Sequence, residues 1–262
     1  MTAEHSGFGQ TVLAVCDLSV ELGGRCVLDQ VTFKIAAGEL IGLIGSNGVG
    51  KTTLFRAVLG DIPSRSGQID LLGHARVRPG EVGYVPQSVG FDRDLPLRAR
   101  DLVALGLDGH RFGLHRRGRA FWKRVEDALI GVDAIDLADR PVGRLSGGQQ
   151  QRVMIAAATV SDPALLILDE PLASLDPANE IDVVRLLDGL RHQRNMSVIM
   201  SSHDINPLLG VLDRVIYLAN GHAVSGTTDE VVRTDVLSRL YGRPIEVVRH
   251  DGHLFVLAGD RV

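Results

Sequence analysis

The chain has 262 residues, 45% of them hydrophobic and 23% charged, with a formal net charge of −4. This balance excludes a disordered chain and speaks against a general nucleic-acid binder, and no apolar run reaches the roughly 18–20 residues of a membrane helix. Cys16 and Cys26 make no disulfide framework, and residues 1–10 carry neither a basic start nor an apolar run, so reducing cytoplasm is the expected setting.

Residues 12–22 alternate as a half-buried strand and end in the turn Gly23-Gly24. A second strand pattern covers 26–35. Leu40–Ile44 is a short apolar run bounded by glycines, the pattern of a strand covered on both faces. A glycine-rich loop follows, and then Leu54, Ala57 and Val58 at helical spacing, giving the order strand, loop, helix. From 91 to 158 the pattern is helical, with Leu102, Val103 and Leu105, then Val125, Ala128 and Leu129, on amphipathic faces. Over 92–124 nine Arg and Lys stand against four Asp; a solvated helical face is the expected reading, ahead of a surface for a partner or an anionic leaflet. Leu165–Leu168 is a second buried-strand run, and helical spacing resumes in Ile181, Val184, Leu187 and Leu190. Strands are expected at 197–200 and 215–218, the second closed by Asn220-Gly221. The tail 245–257 reads as a hairpin turning at Asp251-Gly252. Strands alternating with helices predict an α/β fold with a mostly parallel sheet.

Two motifs carry chemistry. Gly45-Ser46-Asn47-Gly48-Val49-Gly50-Lys51-Thr52 fits G-x-x-x-x-G-K-[ST], here between a buried strand and a helix. Glycines let the backbone wrap a phosphate so that amides point at it, and the next helix presents its N-terminus to the same charge. Lys51 then reaches the β- and γ-phosphates, the Thr52 hydroxyl is placed for Mg²⁺, and Thr53 completes the loop. The second motif is the acidic pair at the end of 165–168. An apolar strand ending in Asp169 projects a carboxylate toward that Mg²⁺, and Glu170 is then placed to polarise the attacking water.

Leu145-Ser146-Gly147-Gly148-Gln149, just before the acidic strand, is a second anion nest ahead of a helix. With the two motifs above, the string resembles the LSGGQ signature of the ATP-binding-cassette (ABC) ATPases, over about residues 12–230. The resemblance implies a P-loop, RecA-like α/β core with an N-terminal antiparallel β part and an inserted helical subdomain. Its parts would be 12–86 (first part of the core), 87–158 (helical subdomain with the signature), 159–230 (second part of the core) and 231–262 (C-terminal helix and hairpin). It further implies a head-to-tail homodimer, each ATP lying between the loop of one subunit and Ser146, Gly147, Gly148 and Gln149 of the other. Gln87 matches the glutamine that senses Mg²⁺ and the γ-phosphate and couples to the membrane partner. Ser174-Leu175-Asp176 matches the segment that crosses the dimer interface, and His203 the histidine that bonds the γ-phosphate. The implied catalytic set is Glu170, His203 and Gln87, and the implied Mg²⁺ set Thr52, Gln87 and Asp169.

A finer similarity, in 91–107, 140–152 and Leu240-Tyr241-Gly242, points to the ATPases of bacterial zinc, manganese and iron importers. It implies a separate membrane permease, an external substrate-binding protein, no nucleic acid, and a peripheral place on the cytoplasmic face of the plasma membrane. Siderophore or cobalamin import and a soluble ATPase for metal-cluster assembly stand as alternatives. Direct metal binding by His110 and His115, or by His250 and His253, is disfavoured, because two ligands do not close a site. One departure matters: the family stacks adenine on an aromatic residue where this chain has Leu22, so weaker ATP affinity and weaker discrimination against GTP are expected.

Overall fold

The N-terminal alternation forms two long strands, β1 (Thr11–Leu22) and β2 (Arg25–Ala36), joined by Gly23 and Gly24, both at positive φ. That conformation at both central residues gives a hairpin turn whose twist matches its strands, and it favours glycine. The computed structural model describes residues 10–87, 90–109, 116–173 and 175–258; Ser174, His110 and His115 lie outside the described residues. β3 (Leu40–Ile44) is buried along its length and runs through the glycine loop into α1 (Lys51–Leu59). β4 (Ser66–Leu71) then joins the hairpin in an antiparallel sheet ordered β2-β1-β4.

β3 also sits inside the larger sheet, ordered β5-β6-β7-β3-β8-β9, with β5 (Val82–Val85), β6 (Leu165–Leu168), β7 (Ser197–Ser202), β8 (Arg214–Ala219) and β9 (His222–Gly226). Its pairs are parallel except β8 with β9, which turn back through Asn220-Gly221. Because successive side chains point to opposite faces, the strands divide two cores by parity. Ile41, Leu43, Leu165, Ile167, Ile199 and Ile216 pack with α1 and the antiparallel sheet. Leu40, Leu166, Leu168, Val198, Met200 and Val215 pack on the other side with the helical layer.

That layer comprises α2 (Ala99–Asp108), α3 (Arg119–Ile130), α4 (Gly147–Thr159) and α5 (Pro177–Arg194). Two glycines bring α4 close to its neighbours. A Cβ on Gly83 of β5 would lie 2.1 Å from the Ala158 carbonyl oxygen, and one on Gly106 of α2 would lie 2.1 Å from that of Ala157. Two helical positions differ from expectation. Ile181 is 47% exposed, because α5 buries Val183, Val184, Leu187 and Leu190, and Ile181 lies about 120° around the helix from the centre of that face. Leu105 is likewise 47% exposed, on a groove of about 410 Å³ that it lines with Tyr84, Pro86, Phe91, Leu102 and Met154. The chain ends with α6 (Thr228–Val231), α7 (Thr234–Tyr241) and the hairpin β10 (Ile245–His250)–β11 (His253–Ala258), which turns at Asp251-Gly252, both at positive φ.

Candidate functional site

Three parallel strands deliver their carboxyl ends to one place, the edge at which open α/β sheets bind ligands. β3 ends at the glycine loop, β6 at Asp169-Glu170 and β7 at Ser202-His203. The register makes these ends neighbours: Ile44 pairs with Ser202, and Leu168 with Met200.

The loop is shaped by its glycines. A Cβ on Gly45 would fall 2.5 Å from the Leu218 carbonyl oxygen. Gly50 takes φ +116 and packs its α-carbon under Val27 and Leu28 of β2. Ser46, Asn47 and Gly48 are exposed at the crown of the loop, and Thr53 is half-buried on the first turn of α1. No side chain caps α1, so its first amides keep their capacity for an anion.

Lys51 is buried below the crown. Its ammonium donates to the carbonyls of Gly45 at 2.8 Å and Ser46 at 3.2 Å, and pairs with Glu170 Oε1 at 3.0 Å. These contacts use all three of its donors. Glu170 is also held on its other oxygen, where Gln87 Nε2 donates to Oε2 at 2.7 Å. The Glu170 backbone lies at φ +46, a left-handed conformation uncommon for a residue with a side chain and typical of functional turns. Asp169 is 1% exposed. It accepts from Thr52 Oγ1 at 2.6 Å and from Ser201 Oγ at 2.7 Å. Ser201 in turn accepts from the Glu170 amide at 2.8 Å, so one fully buried hydroxyl aligns both carboxylate residues. Beside this network, burial and then the Asp169 charge hold the Tyr84 phenol above its ordinary pKa. His203 is exposed immediately after β7, one residue past the strand position that pairs with Ile44.

The residues singled out in sequence thus form two groups. Gly45 to Thr53, Gln87, Asp169, Glu170 and His203 converge on the sheet edge. Ser146 to Gln149 and Asp176 form the other. Ser146 is the N-cap of α4 in a reciprocal box, its hydroxyl accepting from the Gln149 amide at 3.4 Å while the Gln149 side chain accepts from the Ser146 amide at 3.1 Å. Asp176 caps α5, accepting from the amides of Ala178 and Asn179, each at 3.1 Å, and bonding to Asn179 holds its carboxyl below the ordinary value of 3.8. A Cβ on Gly148 would lie 3.5 Å from Asn179 Oδ1, so the two caps are neighbours. Among the described residues, no hydrogen bond or ion pair links this group to the glycine loop. Ser201 is the residue that motif reading missed, and its only sequence signal is a hydroxyl closing a buried strand beside the acidic one.

A cradle of loop amides, a buried lysine and a strand-end acidic pair defines a P-loop nucleoside triphosphatase site. The profile of the ABC transporter family matches residues 28–173, and the chain belongs to that family as one of its ATPases. It is 36% identical to the zinc import ATP-binding protein ZnuC of Cereibacter sphaeroides, over 88% of this chain and 89% of that protein. It is 34% identical to the manganese transport system ATP-binding protein MntB of Bacillus subtilis, over 86% of this chain and 90% of that protein. Among solved structures, an inward-facing metal-chelate type ABC transporter superposes with a TM-score of 0.79 and 26% identity, covering 95% of this chain and 96% of the other.

Proposed function

We propose that this chain is the ATP-hydrolysing subunit of an importer for a transition metal, zinc or manganese before iron, acting on a separate membrane permease. The observation that carries the catalytic part is the Lys51–Glu170–Gln87 and Thr52–Asp169–Ser201 network, which ties the phosphate loop to the acidic strand. The identities with zinc and manganese import proteins support the cargo. No helix among the described residues is long and apolar enough to cross a membrane, in keeping with a peripheral subunit on the cytoplasmic face.

In this reading the loop amides and Lys51 hold the β- and γ-phosphates, and His203 bonds the γ-phosphate. Glu170 takes the proton of the attacking water, while Gln87 orients Glu170. Ser146, Gly147, Gly148 and Gln149 of a second copy close the site, with Asp176 on the shared interface. The Thr52 hydroxyl, the Asp169 carboxylate and the Gln87 amide oxygen form an all-oxygen donor set that suits Mg²⁺. When bound, that ion neutralises charge on the phosphate oxygens. The groove beside Gln87, with exposed Leu105, receives the permease, and an external binding protein delivers the cargo.

The test is metal uptake by a strain lacking this gene, complemented with the native chain or Lys51→Ala, with zinc, manganese and iron in competition. Restoration of uptake of one metal by the native chain alone is expected. Unaltered metal uptake in the deletion strain, with the chain co-purifying on a soluble scaffold, would favour an assembly ATPase instead.

A further inference from the structure

The segment that follows His203 is tied down more heavily than a surface loop requires. Ser202, buried at the end of β7, donates to the Asp204 carbonyl at 2.6 Å and accepts from the Asp204 amide at 3.1 Å, so one hydroxyl closes the chain around His203. The Asp204 carboxylate accepts from the Asn206 amide at 3.0 Å and from Asn206 Nδ2 at 2.7 Å, an Asx turn with a second clamp on it. Asn206 opens a single 3₁₀ turn, Asn206–Leu208, and its side chain also meets the C-terminal hairpin. There Nδ2 donates to the Leu254 carbonyl at 2.9 Å, and Oδ1 accepts from the Leu254 amide at 2.7 Å. The side-chain amide thus pairs with one residue of β11 as a neighbouring strand does, and both of its donors are used.

This chain of bonds, from β11 through Asn206 and Asp204 to Ser202, brackets a histidine that has no support of its own. His203 is exposed, and among the described residues its imidazole makes no hydrogen bond or ion pair, so the backbone alone sets its aim. The bonds also lie over a packed contact: Ile205 and Leu208 of the loop and Leu254 of β11 are buried in one core. The two strands of the hairpin divide their attachments. β10 is bonded to the α6–α7 segment, its Ile245 and Val247 amides donating to Ser238 and Thr234 and its Arg249 pairing with Asp229 at 2.8 Å. Beyond the hairpin, β11 makes its hydrogen bonds to Asn206 alone among the described residues.

Resting on the ATPase reading above, we propose that Asn206 is a positioning residue for His203: it fixes the loop after β7 against β11, and so holds the imidazole where a γ-phosphate meets it. A misplacement of about 1 Å is enough to cost such a contact. The experiment is calorimetric titration of the full chain in Mg²⁺ buffer with ADP and with β,γ-imido-ATP, which keeps a γ-phosphate. The chains compared are native, Asn206→Ala, His203→Ala and the double variant. Asn206→Ala is expected to weaken the imido analogue about fivefold and His203→Ala about tenfold, both leaving ADP unchanged. The double variant is expected to match His203→Ala, because the two act through one contact. Asn206→Asp keeps the shape but loses both donations, and is expected to repeat the alanine effect; in the His203→Ala background that effect vanishes, whereas a mere effect of added charge persists there. The proposal is overturned if Asn206→Ala weakens both nucleotides equally or adds to His203→Ala, which marks a structural residue, or if neither Asn206 variant changes the preference. The two readings fail apart. If His203→Ala weakens the imido analogue while the Asn206 variants are silent, only the positioning role falls; a native chain that binds neither nucleotide sinks the ATPase site itself.

Discussion

Glu170 carries two obligations that cannot be met at once. Its carboxylate neutralises the buried Lys51 at 3.0 Å, yet in the proposed mechanism the same ammonium holds the γ-phosphate. Phosphate must therefore displace carboxylate, and charge-assisted contacts of this kind are worth about 1.5–3 kcal/mol. Glu170→Gln removes the competitor and the proposed base together. Nucleotide affinity is expected to rise about tenfold, while turnover falls at least about 100-fold, as read by binding titration and phosphate release on one preparation. Parent-rate hydrolysis in that variant would remove Glu170 from its role. Ser201 acts through others, donating to Asp169 and accepting from the Glu170 amide. Ser201→Ala leaves both groups short of a partner inside the protein, so a stability loss of about 1–3 kcal/mol in urea unfolding should accompany reduced kcat, with Ser201→Thr recovering part of each. The loop and acidic residues were legible from spacing, because a phosphate imposes a fixed pattern on the backbone that holds it. Ser201 was not, since a hydroxyl at a strand end has many ordinary uses.

Helix caps set the second scale. The residues that present α4 and α5 to solvent are also their N-caps, Ser146 and Asp176. The signature is consequently ordered within one chain and does not wait for a partner. Asp176 is exposed, and bonding to Asn179 lowers its carboxyl pKa; the capping-box Glu230 of α6 is lowered in the same way by Thr227. A depressed carboxyl contributes stability that is present above its unfolded value and lost as pH falls through the folded one. Unfolding followed from pH 6 down to pH 3 should show that loss in the native chain. Asp176→Asn keeps a capping acceptor but removes the titration, so its acid slope is expected to be shallower; equal slopes would assign the acid sensitivity elsewhere. Elements followed the same logic of legibility. β3 and β6 announce themselves by unbroken apolar runs. β4 was not anticipated because Leu71 is its one fully buried residue, nor β5 because it has four residues, one of them the glycine that admits α4. Ile181 was misplaced because a helical triplet spacing fits two adjacent faces equally well.

Across the whole molecule, no hydrogen bond or ion pair among the described residues joins the phosphate loop at the start of α1 to the signature at the start of α4, and in the proposed reading a second copy completes the site. Mixing Lys51→Ala with Ser146→Arg chains tests this. Each is expected to be inactive alone, and the mixture to recover hydrolysis from mixed dimers that hold one intact pair of half-sites. An inactive mixture, with dimers demonstrated by sizing, would place the signature outside the site. The parity of the sheet, with one core on each side, was legible from the apolar runs; the separation of loop and signature was expected through the family resemblance alone, because it depends on where α4 lies against β5, which no local pattern specifies. That placement has a mechanical consequence. The N-terminal end of α4 carries the signature, and its C-terminal half, through Met154, Ala157 and Ala158, forms a wall of the groove beside Gln87. Thirteen residues span about 20 Å, and the glycine contacts at Gly83 and Gly106 leave no slack at the groove end. With those glycines as the pivot, a rigid tilt of about 10° would swing the far tip roughly 3 Å, the length of one hydrogen bond.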